Sequence, residues 1–172
     1  MHRLKTRPQF QAAMAGGTVS RTQHFALHRL GLVLQHAEAS KALAEETSKS
    51  TDGSGRVSQE HHAAQALFAL PASESQGPWL GAMVPKRWAR RAVTRNAIKR
   101  QIYVAGGDFE SQLPVAAHVV RLRSGFDRKQ FPSATSDALK AAVREELQKL
   151  FAYAVRQQPS SREPHSPKGS RS

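Results

Sequence analysis

The chain has 172 residues, enough for one domain of ordinary size, and carries 26 Lys+Arg against 13 Asp+Glu for a formal net charge of +13. That excess argues against an acidic, solvating protein and for a polyanion partner, nucleic acid before anionic membrane. Cysteine is absent, which excludes disulfide scaffolds, thiolate metal sites and cysteine nucleophiles and suits a reducing, cytoplasmic compartment.

The start, Met1 to Phe10, has no apolar run of signal-peptide length. Nowhere do about 18 apolar residues follow one another, so no membrane span is expected. Charge divides the chain into four blocks: residues 1–36 carry +5, 37–76 carry −3, 77–155 carry +8 and 156–172 carry +3. The second block is acidic and low in complexity around Ser48 to Ser58, lacking the apolar residues that offset chain entropy. Residues 37–76 therefore read as a disordered insertion, with a short helical piece near His62–Leu70. Residues 156–172, rich in Ser, Pro and Arg, read as a disordered basic tail. Residues 1–36 and 77–155 must then join into a single domain with one core.

In chain order, Pro8 opens a first helix with Phe10, Ala13 and Met14 on one face, stopped by Gly16-Gly17. Phe25 to Leu34 reads as a strand, and Trp79 to Val84 as another. Residues 87–105 read as a basic helix ended by Gly106-Gly107. His118 to Arg123 is a further strand. The last element is a helix with the apolar stripe Leu139, Val143, Leu147, Leu150 and Ala154, capped by Thr135 or Ser136, with Asp137 at its positive end. The sum is an α+β fold, a small single sheet of about four strands packed with three helices.

The informative segment is the basic helix. Seven Lys/Arg lie within residues 86–100, and no acid is among them. At about 100° per residue, Ile98, Ile102 and Ala105 share a docking face. Asn96, Lys99, Arg100 and Tyr103 lie opposite, with Arg95 at the flank. Solvated helix faces usually mix signs, because like charges four residues apart repel by a few tenths of a kcal/mol. Arg95–Lys99 and Arg87–Arg91 are such pairs with no acid to relieve them. A face that accepts this repulsion suits a polyanion, and Asn96 adds a neutral donor and acceptor for sugar or base edges.

These residues carry a resemblance. Lys86-Arg87, Arg91-Ala92-Val93, Arg95-Asn96 and Ile98-Lys99-Arg100, following Gly81-Ala-Met-Val-Pro-Lys-Arg, resemble the signature of the bacterial ribonuclease P protein subunit. Phe10-x-x-Ala13-Met14 resembles the family's first helix, Phe25-Ala-Leu27-His28 its first strand, and Leu113-Pro114 with Val119-Val120 the approach to its last strand. Ala97 and Tyr103 stand where the family usually has Arg. The resemblance implies a ribosomal-protein-like α-β sandwich, serving a catalytic RNA that holds Mg²⁺ and removes the 5′ leader of precursor tRNA. It implies a protein with no catalytic residues of its own. Lys86, Arg87, Arg90, Arg91, Arg95, Asn96, Lys99 and Arg100 would dock on the catalytic RNA. Phe10, Met14, Phe25 and His28 would line a groove for the leader, with core packing as the other reading of Phe10 and Phe25.

Other constellations point less far. His61-His62 lack a third ligand at metal spacing, and Asp108 and Glu110 read as turn residues. Trp88 reads either as a base-stacking residue or as cover for the helix–sheet junction. The alternatives are a different RNA-binding protein, such as a small ribosomal protein or RNA chaperone, and a protein-only ribonuclease using His24, His28 and His118 as acid and base.

Overall fold

The computed structural model describes residues 1–32, 66–68, 77–127, 129–131, 133 and 136–157. The elements are β1 (His2–Arg3), α1 (Arg7–Ala15), β2 (Thr18–Arg21), β3 (Phe25–Gly31), β4 (Trp79–Met83), α2 (Ala92–Asp108), β5 (Ala116–Leu122) and α3 (Asp137–Arg156). One sheet runs in the order β1-β4-β5-β3-β2, with β1·β4 and β4·β5 parallel and the other pairs antiparallel. The expected α+β architecture is present with five strands, not four. The two strands not located in the sequence, β1 and β2, hold two and four residues, too few to show a period. The strand expected over Phe25–Leu34 ends at Gly31.

The sheet separates two apolar clusters. On one face α1 lies over β3 and β5, where Leu4, Ala13, Trp79, Ala117 and Val119 are buried, with Phe10, Met14 and Leu30 packed beside them. On the other, α2 and α3 cover Phe25, Leu27, Leu80, Val120 and Leu122. The predicted stripe of α3 is buried throughout, together with Phe151. Ser136 caps α3, its Oγ accepting from the Leu139 N–H at 3.2 Å; Thr135 lies outside the described residues. Helix α1 opens on a capping box: Thr6 Oγ1 accepts from the Gln9 N–H, and Gln9 Oε1 accepts from the Thr6 N–H at 3.1 Å. It closes at Gly16, followed by Gly17 with φ +95°.

The basic helix departs from expectation at both ends. It begins at Ala92, not at residue 87, because the Pro85 carbonyl draws the N–H groups of Trp88 and Ala89 into a turn. It also runs through Gly106 and Gly107. Gly106 is there for space: a Cβ would lie 2.3 Å from Leu80 Cδ2, so its bare backbone lets α2 close on β4 without breaking the helix.

Most of segment 37–76 and residues 158–172 lie outside the described residues, as do His61 and His62. Residues 66–68 are described and dock on the domain. Phe68 is buried edge-on to Trp79, ring centroids 5.6 Å apart, and Gln9 Nε2 donates to the Leu67 carbonyl at 2.9 Å. Among the described residues, no helix is long and apolar enough to cross a membrane.

Candidate nucleic-acid interface

The turn forced by Pro85 makes a basic loop, residues 86–91, that leads into α2. Lys86, Arg87, Arg90 and Arg91 are exposed on it, and Asn96 and Arg100 are exposed on the outer side of the helix. Arg95 and Lys99 are half-buried on its flank. Since Arg87 is not helical, Arg87–Arg91 is not a one-turn pair; of the two expected pairs, Arg95–Lys99 alone keeps that spacing within the helix. Among the described residues, no carboxylate pairs with any of the seven cations. Among the described residues, the positive field of this surface is therefore unneutralised.

Arg95 has a second task that its position in the sequence did not show. Its Nη1 donates to the Ala89 carbonyl at 3.1 Å and the Arg90 carbonyl at 2.7 Å, so its guanidinium holds the basic loop in shape. Tyr103 is half-buried under the Arg3 guanidinium, which sits 4.3 Å from the ring centroid. Trp88 stays 38% exposed, with the Arg87 guanidinium 5.3 Å from its ring.

The second expected surface, between α1 and the sheet, is altered. Phe10 and Met14 are half-buried on α1, and Phe10 closes over Gly81, where a Cβ would lie 2.6 Å from its ring. His28 is half-buried on β3, its Nδ1 3.3 Å from Thr18 Oγ1. Phe25 is not part of this groove. It is fully buried on the opposite face, 6.0 Å from the Phe126 ring. Strand geometry requires this, because residues three apart point to opposite sides.

Two cations on this side of the sheet were not anticipated. Arg21 is paired with Ala26, and Ala26 with Arg121, which puts both guanidinium groups on the side of His28. Burial holds the His28 imidazole below its ordinary range, and Arg121 and then Arg21 depress it further, against a hydrogen bond to the Met14 backbone. This side of the sheet thus holds an imidazole biased towards its neutral form near two cations. Arg121 could have been found by its alternation with Ala117 and Val119; Arg21 sits on a strand too short to read.

The histidines do not assemble an acid–base site. His118 is fully buried, its Nδ1 3.3 Å from the Trp79 carbonyl, and burial pushes its imidazole down to about 4. Its register partner Arg29 neighbours His28 on β3, so His28 and His118 project from opposite faces. His24 is bonded to Glu146, Nδ1 to Oε1 at 2.5 Å. Among the described residues, no group of three His, Cys, Asp or Glu could hold a metal ion.

Comparison with known proteins accounts for this layout. A family model, Ribonuclease P, matches residues 1–155. The ribonuclease P protein component of Burkholderia mallei is 36% identical over 78 residues, which are 45% of this chain and 57% of that protein. The component of Ralstonia pickettii is 39% identical over 80 residues, 45% of this chain and 54% of that protein. The matches thus span little more than half the length of these curated relatives. The Staphylococcus aureus RNase P protein shares the fold, with a TM-score of 0.51 at 17% identity, over 90% of this chain and 95% of that one. The described sheet of five strands, with α1 on one face and α2 and α3 on the other, is thus a fold shared with that structure, and the chain belongs to the ribonuclease P protein family.

Proposed function

We propose that the chain is the protein subunit of a ribonuclease P ribonucleoprotein, working in the cytoplasm. It binds a catalytic RNA and the 5′ leader of precursor tRNA and promotes Mg²⁺-dependent endonucleolytic maturation of the tRNA 5′ end. The observation that carries this reading is the loop and helix over residues 86–100, seven cations without a carboxylate partner among the described residues. Lys86, Arg87, Arg90, Arg91, Lys99 and Arg100 neutralise phosphates where RNA strands crowd, releasing counterions; Asn96 meets a sugar or base edge, and Arg95 holds the loop.

The leader lies in the groove on the α1 side. Phe10 and Met14 supply apolar contact, Arg21 and Arg121 meet its phosphates, and His28 serves as an uncharged hydrogen-bonding group. Mg²⁺ seeks hard oxygen ligands, whereas these surfaces offer guanidinium and ammonium groups. The residues here do not fit the ion, and it belongs to the RNA.

The test is reconstitution. The protein alone should leave precursor tRNA intact. Added to the RNA subunit from the same genome, it should lower the Mg²⁺ concentration needed for leader removal. Cleavage by nuclease-treated protein at an unchanged rate would refute the assignment.

A further inference from the structure

Loop 86–91 does more than display charge. A cavity of about 350 Å³ lies between this loop, the start of α2, the segment after β5 and the start of α3. Phe126, Phe131 and Leu139 give it an apolar wall, and Arg87, Arg90 and Arg91 line the other side. Trp88, more than a third exposed, also lines it. Ring contacts support the wall. Phe126 stacks on His24 at 4.0 Å and meets Phe131 edge-on at 5.7 Å. Gly125 lets the two loops touch, since a Cβ there would lie 3.0 Å from the Trp88 carbonyl oxygen.

This pairing of surfaces is selective. An aliphatic ligand has no use for three guanidinium groups, and a free phosphate has none for an aromatic wall. A nucleotide uses both. The volume falls at the small end of ligand pockets, roughly 300–1,000 Å³, so it suits one nucleotide and not a stretch of strand. The base must come from an unpaired position, because extrusion from a duplex costs unstacking and unpairing. No side chain caps the start of α2 beside the cavity, so its amide groups add positive potential there.

We infer that this cavity is a single-nucleotide pocket, in which one unpaired base of the RNA partner enters against Trp88 and the Phe126–Phe131 wall while its phosphates meet Arg87, Arg90 and Arg91. The inference rests on the reading of residues 86–100 as an RNA-binding surface, and adds a base contact to it.

The full chain should be bound to the RNA subunit transcribed from the same genome, and the RNA probed base by base. The wild type should shield one discrete unpaired base. Trp88→Ala should expose that base alone and weaken binding about ten-fold, the scale of one lost base stack. Trp88→Phe should keep the base shielded, and Arg100→Ala, outside the cavity, should weaken binding without exposing it. Arg90→Glu, at an exposed position where folding is not at stake, should release the same base. Identical footprints for wild type, Trp88→Ala and Arg90→Glu overturn the pocket while leaving the RNA-binding surface standing. Failure of the wild type to bind the RNA at all overturns both.

Discussion

Arg95 donates from Nη1 to the carbonyl oxygen of Arg90, 2.7 Å away, so one residue of the basic stretch fixes the loop that presents another. The same nitrogen reaches the Ala89 carbonyl at 3.1 Å, and Ala89 is buried against the core. The positive surface is thus held in shape by a member of its own charge set. A lysine could match the charge at position 95, but its ammonium ends one bond short of the place Nη1 reaches.

Arg95 and Arg100 should therefore behave differently when truncated. Arg95→Ala should lower stability by about 2 kcal/mol, the scale of hydrogen bonds from a charged donor, and weaken RNA binding through a disordered loop. Arg95→Lys should restore little of either. Arg100→Ala, at an exposed position, should leave Tm unchanged and reduce the salt slope of RNA binding by about one. Thermal unfolding and salt-dependent binding on the three variants make the comparison.

Phe68 tests how much of segment 37–76 the domain needs. Phe68→Ala should cost about 3 kcal/mol, because the ring is buried against Trp79. Replacing residues 37–65 with a flexible Gly/Ser linker should leave Tm and cleavage in the reconstituted enzyme nearly unchanged. Denaturant unfolding of both variants measures the contrast.

His118 makes stability depend on pH. The unfolded imidazole takes up a proton below pH 6.5, whereas the buried native one resists protonation until about pH 4. The unfolded state therefore binds more protons between these values, and stability falls as pH drops through that window. The full gap corresponds to about 3 kcal/mol. His118→Phe should flatten this part of the curve, which unfolding between pH 4 and 7 would show.

The sequence made the larger elements legible because each repeats its pattern. Leu139 to Ala154 shows four turns of helical spacing, and all five marked residues are buried. Ile98, Ile102 and Ala105 likewise identified the docking face of α2. What escaped was set by partners distant in sequence. The helix was expected to stop at Gly106, yet that residue serves contact with Leu80. Arg21 and Arg121 come together only through the register of β2, β3 and β5. The seven cations of residues 86–100 were visible in the sequence as charge, but charge could not reveal that Arg95 turns back on its own loop. Phe25 was misplaced by following a motif where the alternation of the strand already separated it from His28.

Three substitutions distinguish groove from core on the α1 side. Phe25→Ala empties a fully buried site and should cost about 3–5 kcal/mol, with leader binding lost only in proportion to unfolded protein. Arg121→Ala removes a cation from the groove and lifts one of the charges depressing His28. Leader affinity should fall with a shallower salt slope, while affinity for the RNA subunit stays the same. The His28 imidazole should titrate nearer its ordinary range, a shift visible by NMR independently of any RNA. Phe10→Ala lies between these cases, since the ring is half-buried over Gly81. If a leader base stacks on it, discrimination between precursor and mature tRNA should drop by about 1–3 kcal/mol beyond any stability loss. Equal effects of Arg121→Ala and Arg100→Ala on leader and RNA-subunit affinity would show one continuous surface where two are expected.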